Sequence, residues 1–183
     1  LRFALYKPDD PEDAADLRFK VITRERMSLS KVMPHLDALG ITVIDERPFH
    51  WDLRGEPVSV FDFGFNVPAG QTLADWGLAD RARFADAFAA SYQGRAHAGT
   101  LNRLVMTAGL TWQQVTWLRA ISRYLRQAGI PFSQPYVAAA LNANPQLARA
   151  LVETFAVRFD PGRPGDRDDR ERAFADAVAG IER

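Results

Sequence analysis

The sequence predicts an α+β fold: a thin β-sheet with helices on one face, running on into an all-helical segment. Three observations carry this. Period-two alternation is confined to residues before about 69. Beyond that point alanine rises and apolar residues recur at helical spacing. Between them, at LDALGITVI (residues 36–44), a helix-spaced segment runs through one glycine into a β-branched run.

Leu1–Tyr6 and Leu17–Ile22 alternate apolar with polar or small residues and read as two short strands around the acidic loop KPDDPEDAAD, a hairpin. In SLSKVMPHLDALG, residues Leu29, Val32, Met33, Leu36 and Leu39 line one helix face. Ser28 or Ser30 can cap it; a start at Ser30 places Pro34 near the first turn, where a missing N–H costs least. Gly40 stops the helix. Ile41–Ile44 then forms a strand that Pro48 ends, WDLRGEP is a loop, and Val58–Phe63 is an antiparallel strand.

Residues 79–92 fit a helix with Phe84, Phe88 and Tyr92 in register, and residues 99–109 fit another. A third runs from Thr111, which forms a capping box with Gln114, to Gly129. Its inner face is Val115, Leu118, Ile121, Ser122 and Leu125. Ser133 caps a fourth helix, through Ala140, and Asn144 with Pro145 starts a fifth. DPGRPGDRDDRE reads as a linker, and Arg172–Arg183 as the start of one more helix.

The bulk numbers limit function. Lys+Arg and Asp+Glu both total 23, and a zero net charge argues against nucleic acid as the main partner. With no cysteine, disulfides, thiolate metal sites and a cysteine nucleophile are excluded, and a reducing cytosolic home fits. No apolar run approaches the roughly 20 residues that span a bilayer, and the N-terminus lacks signal-peptide architecture. Starting at Leu1 rather than Met, the chain reads as a piece of a longer protein.

No phosphate-cradling glycine motif, zinc-binding H-E-x-x-H or G-x-S-x-G elbow is present. His35, His50 and His97 are far apart and share no ligand spacing, so a helix-surface role for His35 and a loop role for His97 outweigh a metal site. Asp45, Glu46 and Arg47 could form an acid/base pair with an anchoring cation, but solvated charges at a strand end are the stronger reading. Asp62, between two phenylalanines, is expected to be exposed on the opposite face. Arg119, Arg123 and Arg126 lie on one side of the third helix. With Trp112, Trp117 and Tyr124 they could form an anion or nucleic-acid groove; a solvated or interface face is favoured. No catalytic, cofactor-binding or metal residue is assigned.

Four stretches carry a resemblance: SLSKVMPHLDALGITVIDERPF, VFDFGF, NRLVMTAGLTWQQVTWLRAISRYLRQAGIPFSQPYVAAAL and LVETFAVRFDP. Together they resemble the large NAD-dependent glutamate dehydrogenases of bacteria, in that family's order, over most of residues 28–161. The resemblance implies an ACT-like (ferredoxin-like) α/β sandwich over 1–68, with 79–92 as its second helix. It implies an all-α segment over 69–160, then a linker and the start of a further helix over 161–183. Both precede the catalytic domain of a cytoplasmic enzyme of amino-acid catabolism, which oxidises L-glutamate to 2-oxoglutarate and ammonium while reducing NAD.

In amino-acid-sensing ACT domains the loop from first strand to first helix carries a glycine beside the ligand; here it is TRERMSLS, without one. No fourth strand follows the second helix, and Leu1–Tyr6 is the candidate to take its place. Lys7, Lys20 and Lys31 are the only lysines, and none sits in a dehydrogenase context. The expectation is therefore a non-catalytic regulatory or assembly segment: no cofactor of its own, NAD in the parent enzyme, the parent's other domains and subunits as partners in a homo-oligomer, and neither membrane nor nucleic acid. A freestanding amino-acid sensor and a helical nucleic-acid binder are the alternatives.

Overall fold

The computed structural model describes residues 1–10, 12–24, 27–68, 71, 76–162 and 167–181. Four strands, β1 (Arg2–Tyr6), β2 (Leu17–Thr23), β3 (Val43–Leu53) and β4 (Glu56–Phe65), form one antiparallel sheet in the order β1-β2-β4-β3. Two helices, α1 (Leu29–Ala38) and α2 (Leu78–Tyr92), cover one of its faces. Leu17, Phe19 and Val21 of β2 point into this layer and are fully buried. Phe84 and Phe88 of α2 meet the Phe19 ring edge-on at 5.1 and 5.0 Å between centroids, and Phe3 of β1 stacks on it at 5.7 Å.

Among the described residues no strand follows α2. The edge beside β2 is instead occupied by β1, paired Arg2 to Ile22 through Tyr6 to Arg18. The chain's first strand thus completes the sheet that a βαββ unit leaves one strand short.

Gly40 ends α1 with a φ of +85°. Its N–H reaches Asp37 O, and Ile41 N–H reaches back to Leu36 O. The left-handed turn at a residue without a Cβ lets α1 reverse into the sheet within two residues. Its bare face also seats the stem of Arg103, since a Cβ there would lie 3.3 Å from Arg103 Cγ.

Local expectations fail at three places. α1 starts directly after Ser28, whose side chain makes no capping hydrogen bond, so Pro34 stands inside the helix rather than in its first turn. Its ring removes the N–H that would bond to Ser30 O. β3 does not end at Pro48 but continues to Leu53. It is an edge strand, where a missing donor is tolerated, and Pro48 pairs in register with Phe61. The expected loop WDLRGEP is strand on both sides of a two-residue turn, Arg54 (φ 58°) and Gly55 (φ 84°), a pair of positive φ angles that matches the twist of the hairpin.

The second half is helical. A 3-10 turn (Thr100–Arg103) and a single α-turn, α3 (Leu104–Thr107), stand where one helix over 99–109 was expected. α4 (Trp112–Gln127) carries the capping box: Thr111 Oγ1 accepts from Gln114 N–H at 3.3 Å, and Gln114 Oε1 accepts from Thr111 N–H at 2.9 Å. Of its expected inner face, Val115, Leu118 and Ser122 are buried, but Leu125 is exposed. Ser133 caps α5 (Gln134–Ala143), and α6 (Pro145–Phe159) starts at Pro145. α7 (Arg167–Ile181) lies along α6, with Arg158 over the Phe174 ring at 4.6 Å. The charged run expected to be linker therefore includes the first turn of a helix; residues 163–166 lie outside the described residues.

One buried apolar cluster joins the two halves, from Leu17 and Phe65 through Trp76 and Phe84 to Leu104, Leu118 and Val152. Trp112 Nε1 of α4 donates to Asp86 of α2 at 2.9 Å across the same junction. Among the described residues, no helix is long and apolar enough to cross a membrane.

Candidate interaction surface

Strand pairing sets the face of the sheet opposite the helices. Tyr6, Arg18, Gly64 and Asp45 lie on one rung of paired positions, and Ala4, Lys20, Asp62 and Arg47 on the next. All eight belong to the uncovered face because side chains alternate along each strand.

Arg18 is the centre of this face and is 1% exposed. Its Nη1 lies 3.1 Å from Asp13, its two terminal nitrogens form a fork with the Asp45 carboxylate, and its Nε faces Asp62 Oδ1 at 3.3 Å. Nη2 also donates to the Asp62 carbonyl at 3.0 Å. Burial alone would make the guanidinium easier to deprotonate, but the hydrogen bond to Asp45 and the charges of Asp62, Asp45 and Asp13 reverse this and raise its pKa. Arg47 bridges Asp13 at 2.9 Å and lies 3.8 Å from Asp45. Lys20 stands 3.8 Å from Asp62 and over the Tyr6 ring, while Tyr6 Oη donates to Asp62 at 2.7 Å.

Three carboxylates thus meet three cations. The Asp13 carboxylate also accepts from Ala15 N–H at 3.0 Å, so the β1–β2 loop is pinned down over the sheet. That backbone bond, with the Arg18 and Arg47 charges, holds Asp13 below the usual carboxylate range against the opposing effect of burial.

Two expectations change here. Asp62 is on the face opposite its phenylalanine neighbours, as alternation requires, but it is buried at 3% exposure because Arg18, Lys20 and Tyr6 close over it. Asp45 and Arg47 join the Arg18 network, although the Arg47 side chain is still 48% exposed, as expected of a charge at a strand end. Glu46 faces the other way, and burial followed by the nearby Asp45 charge raises its pKa.

Along the same face, toward the hairpin tip, charge gives way to apolar groups. Phe49 and Trp51 stack at 6.1 Å and are 40% and 59% exposed, and Leu53 follows at 57%. Nearby, a cavity of about 950 Å³ opens where β2 passes to α1, lined by Arg2, Thr23, Arg24, Lys31, Leu53 and Tyr92 among others. This is where a sensing ACT domain would keep its ligand glycine; Glu25 and Arg26 of that loop lie outside the described residues.

The remaining singled-out residues do not converge. His35 does not stand on a free helix surface: its Nδ1 lies 3.1 Å from Ser91 Oγ, joining α1 to α2. Ser91 Oγ also lies 3.0 Å from Phe88 O, so the hydroxyl links the His35 ring to the α2 backbone. His50 pairs with Ser59 across the hairpin. His97 lies in the loop before the 3-10 turn. Among the described residues no three metal-ligating side chains cluster. Arg119 is buried, not solvated, and donates to Asn102 Oδ1 at 2.7 Å, while Arg123 is exposed. Trp112 and Trp117 turn toward Asp86 and Phe155, while Tyr124 stays exposed next to Arg123.

Comparison with known proteins decides what kind of sheet and helices these are. Residues 1–78 match the family model for the glutamate dehydrogenase ACT3 domain, and residues 96–161 that for glutamate dehydrogenase helical motif 3. The chain belongs to the large NAD-specific glutamate dehydrogenase family. It is 42% identical over 158 residues to the NAD-specific glutamate dehydrogenase of Mycobacterium tuberculosis H37Rv, covering 83% of this chain. It is 35% identical to the Halomonas elongata enzyme of that name over 93% of the chain, and 35% identical to the Pseudomonas aeruginosa one over 84%. In each case it spans 10% of the relative's length. The ACT3 match ends at Leu78, the first residue of α2, so this glutamate dehydrogenase ACT3 sheet takes half of its covering layer from the segment between the two matches.

Proposed function

We propose that this chain is a non-catalytic packing and regulatory element of a large NAD-specific glutamate dehydrogenase. The parent oxidises L-glutamate to 2-oxoglutarate and ammonium with NAD as hydride acceptor, and the reaction centre lies elsewhere in it. The ACT-like sheet with α1 and α2 forms one unit, and the helical segment to residue 160 a second, joined to it through the shared core. NAD and glutamate bind other domains. The parent's other domains and subunits are this chain's partners, in a cytoplasmic homo-oligomer, with no membrane or nucleic-acid role.

One observation carries this reading. Among the described residues helices cover one face of the sheet only, and the other carries a charged network, its centre closed over by the β1–β2 loop, beside the exposed Phe49–Trp51–Leu53 ridge. Exposed aromatic groups on a rigid base are what a packing surface requires. The missing glycine of TRERMSLS weighs against an amino-acid sensor.

Sedimentation of the parent enzyme carrying Trp51→Glu tests it. Charge placed in a packed apolar contact is expected to loosen the assembly, while the isolated chain keeps its melting temperature. Unchanged assembly with an unchanged rate would contradict the packing role. Glutamate-dependent NAD reduction by this chain alone would contradict its non-catalytic character.

A further inference from the structure

Arg119 is a charged side chain at 7% exposure whose one hydrogen-bond partner among the described residues is neutral, the Asn102 amide oxygen at 2.7 Å. No carboxylate among the described residues forms an ion pair with it. The charge that acts on it is of its own sign, that of Arg123. Arg123 follows one turn along α4, and His97, an exposed residue of the neighbouring loop, has its affinity for a proton lowered by partial desolvation and then by the charges of both arginines. An arginine this buried stays charged, and a buried cation without a counter-charge is costly. Arg18, in the same chain, shows the usual solution, with three carboxylates around one guanidinium.

Gly99 packs between the two side chains: a Cβ there would lie 3.2 Å from His97 Nδ1 and 3.8 Å from Arg119 Nη2. Its φ of −175° is open to any residue, so backbone strain does not call for glycine at this point. Asn102 fixes both walls at once, accepting from Arg119 and donating through Nδ2 to His97 O at 3.2 Å.

We propose that the notch between the His97–Asn102 turn and α4 is an oxyanion site, taking a carboxylate or phosphate group between Arg119, Arg123 and His97. A guanidinium fork suits either group. The anion comes either free from solution or as a carboxylate side chain of another segment of the parent enzyme. The site is separate from the sheet face, so it stands or falls independently of the packing role.

The test titrates the chain with sodium glutarate and with sodium phosphate, against sodium chloride at matched ionic strength. Melting temperature and the His97 ring resonances are followed. The expected result is a saturable rise in melting temperature with glutarate or phosphate, together with a His97 shift and a higher His97 pKa. Arg123→Gln, at an exposed position, should weaken binding about tenfold to a hundredfold without lowering the melting temperature of the anion-free chain. Gly99→Ala should weaken it by crowding the His97 ring. Equal behaviour in chloride, an unmoved His97, or binding that survives Arg123→Gln and Gly99→Ala unchanged would overturn the proposal. Repeating the titration in the parent enzyme separates the sources: binding that persists there marks a free anion, and binding seen only in the isolated chain marks a site filled by a neighbouring carboxylate.

Discussion

Gly64 lies so close against Arg18 that a methyl group at position 64 would come within 2.7 Å of Nη1. The same methyl would stand 3.0 Å from both the Ala15 Cβ and Asp45 Oδ1. Glycine is required here for space: the guanidinium lies across the strand, and the β1–β2 loop lies over it. Because Arg18 is held by three carboxylates, it cannot swing aside freely. Gly64→Ala is therefore expected to destabilise the chain by about 1–3 kcal/mol, as overpacking does, and denaturant titration measures it.

Removing the centre of the network should cost more. Arg18→Met leaves Asp62 buried and without its main counter-charge, a change worth about 3–5 kcal/mol. The double variant Arg18→Met, Asp62→Leu should recover much of that loss, because an apolar pair does not carry the desolvation cost of the charges. A double variant as unstable as the single one would show that shape, not charge, holds this face together.

Pro34 offers the opposite change. It is exposed, and it stands at an interior position of α1. Pro34→Ala restores a donor to Ser30 O and is expected to raise stability by about 1–3 kcal/mol. A drop on urea denaturation would show that the proline supports a contact of its own.

Acid should weaken the α1–α2 contact. Burial, then the Lys31 charge, lowers His35 below its ordinary 6.5. The unfolded chain therefore takes up a proton at higher pH than the folded one. Stability from this residue is complete above pH 6.5 and is lost as pH falls through that value toward the lower folded pKa. The groups facing His35 are Ser91, Phe88 and Tyr92 of α2 and Lys31 of its own helix, none of them acidic. His35→Gln should flatten the fall in unfolding free energy between pH 7 and 5, leaving the part due to His97. An unchanged slope would remove His35 from the account.

What was legible in the sequence was local. The capping box at Thr111 and Gln114, the stop at Gly40, the Pro145 start and the in-register Phe84 and Phe88 are each written within a few residues, and each forms. The extent of β3 was not, because Pro48 is tolerated only where a strand has one neighbour, and edge position is a property of the whole sheet. Asp62 and Arg119 show the same limit. Alternation placed Asp62 on the right face, but its burial depends on Arg18, 44 positions away. Arg119 sits on the charged side of its own helix, yet the turn carrying Asn102 folds over it. Resemblance reached further than pattern, since it linked the sheet and helices to one family before their packing was known.

Side-chain footprinting of Trp51 tests the central claim most directly. Hydroxyl-radical oxidation of Trp51 and Phe49 would be compared between the isolated chain and the assembled parent enzyme. If the uncovered sheet face is where this element packs, both residues oxidise readily in the chain and are protected in the assembly. Equal oxidation in the two states would mean that the ridge stays in solvent, and the packing role would be wrong.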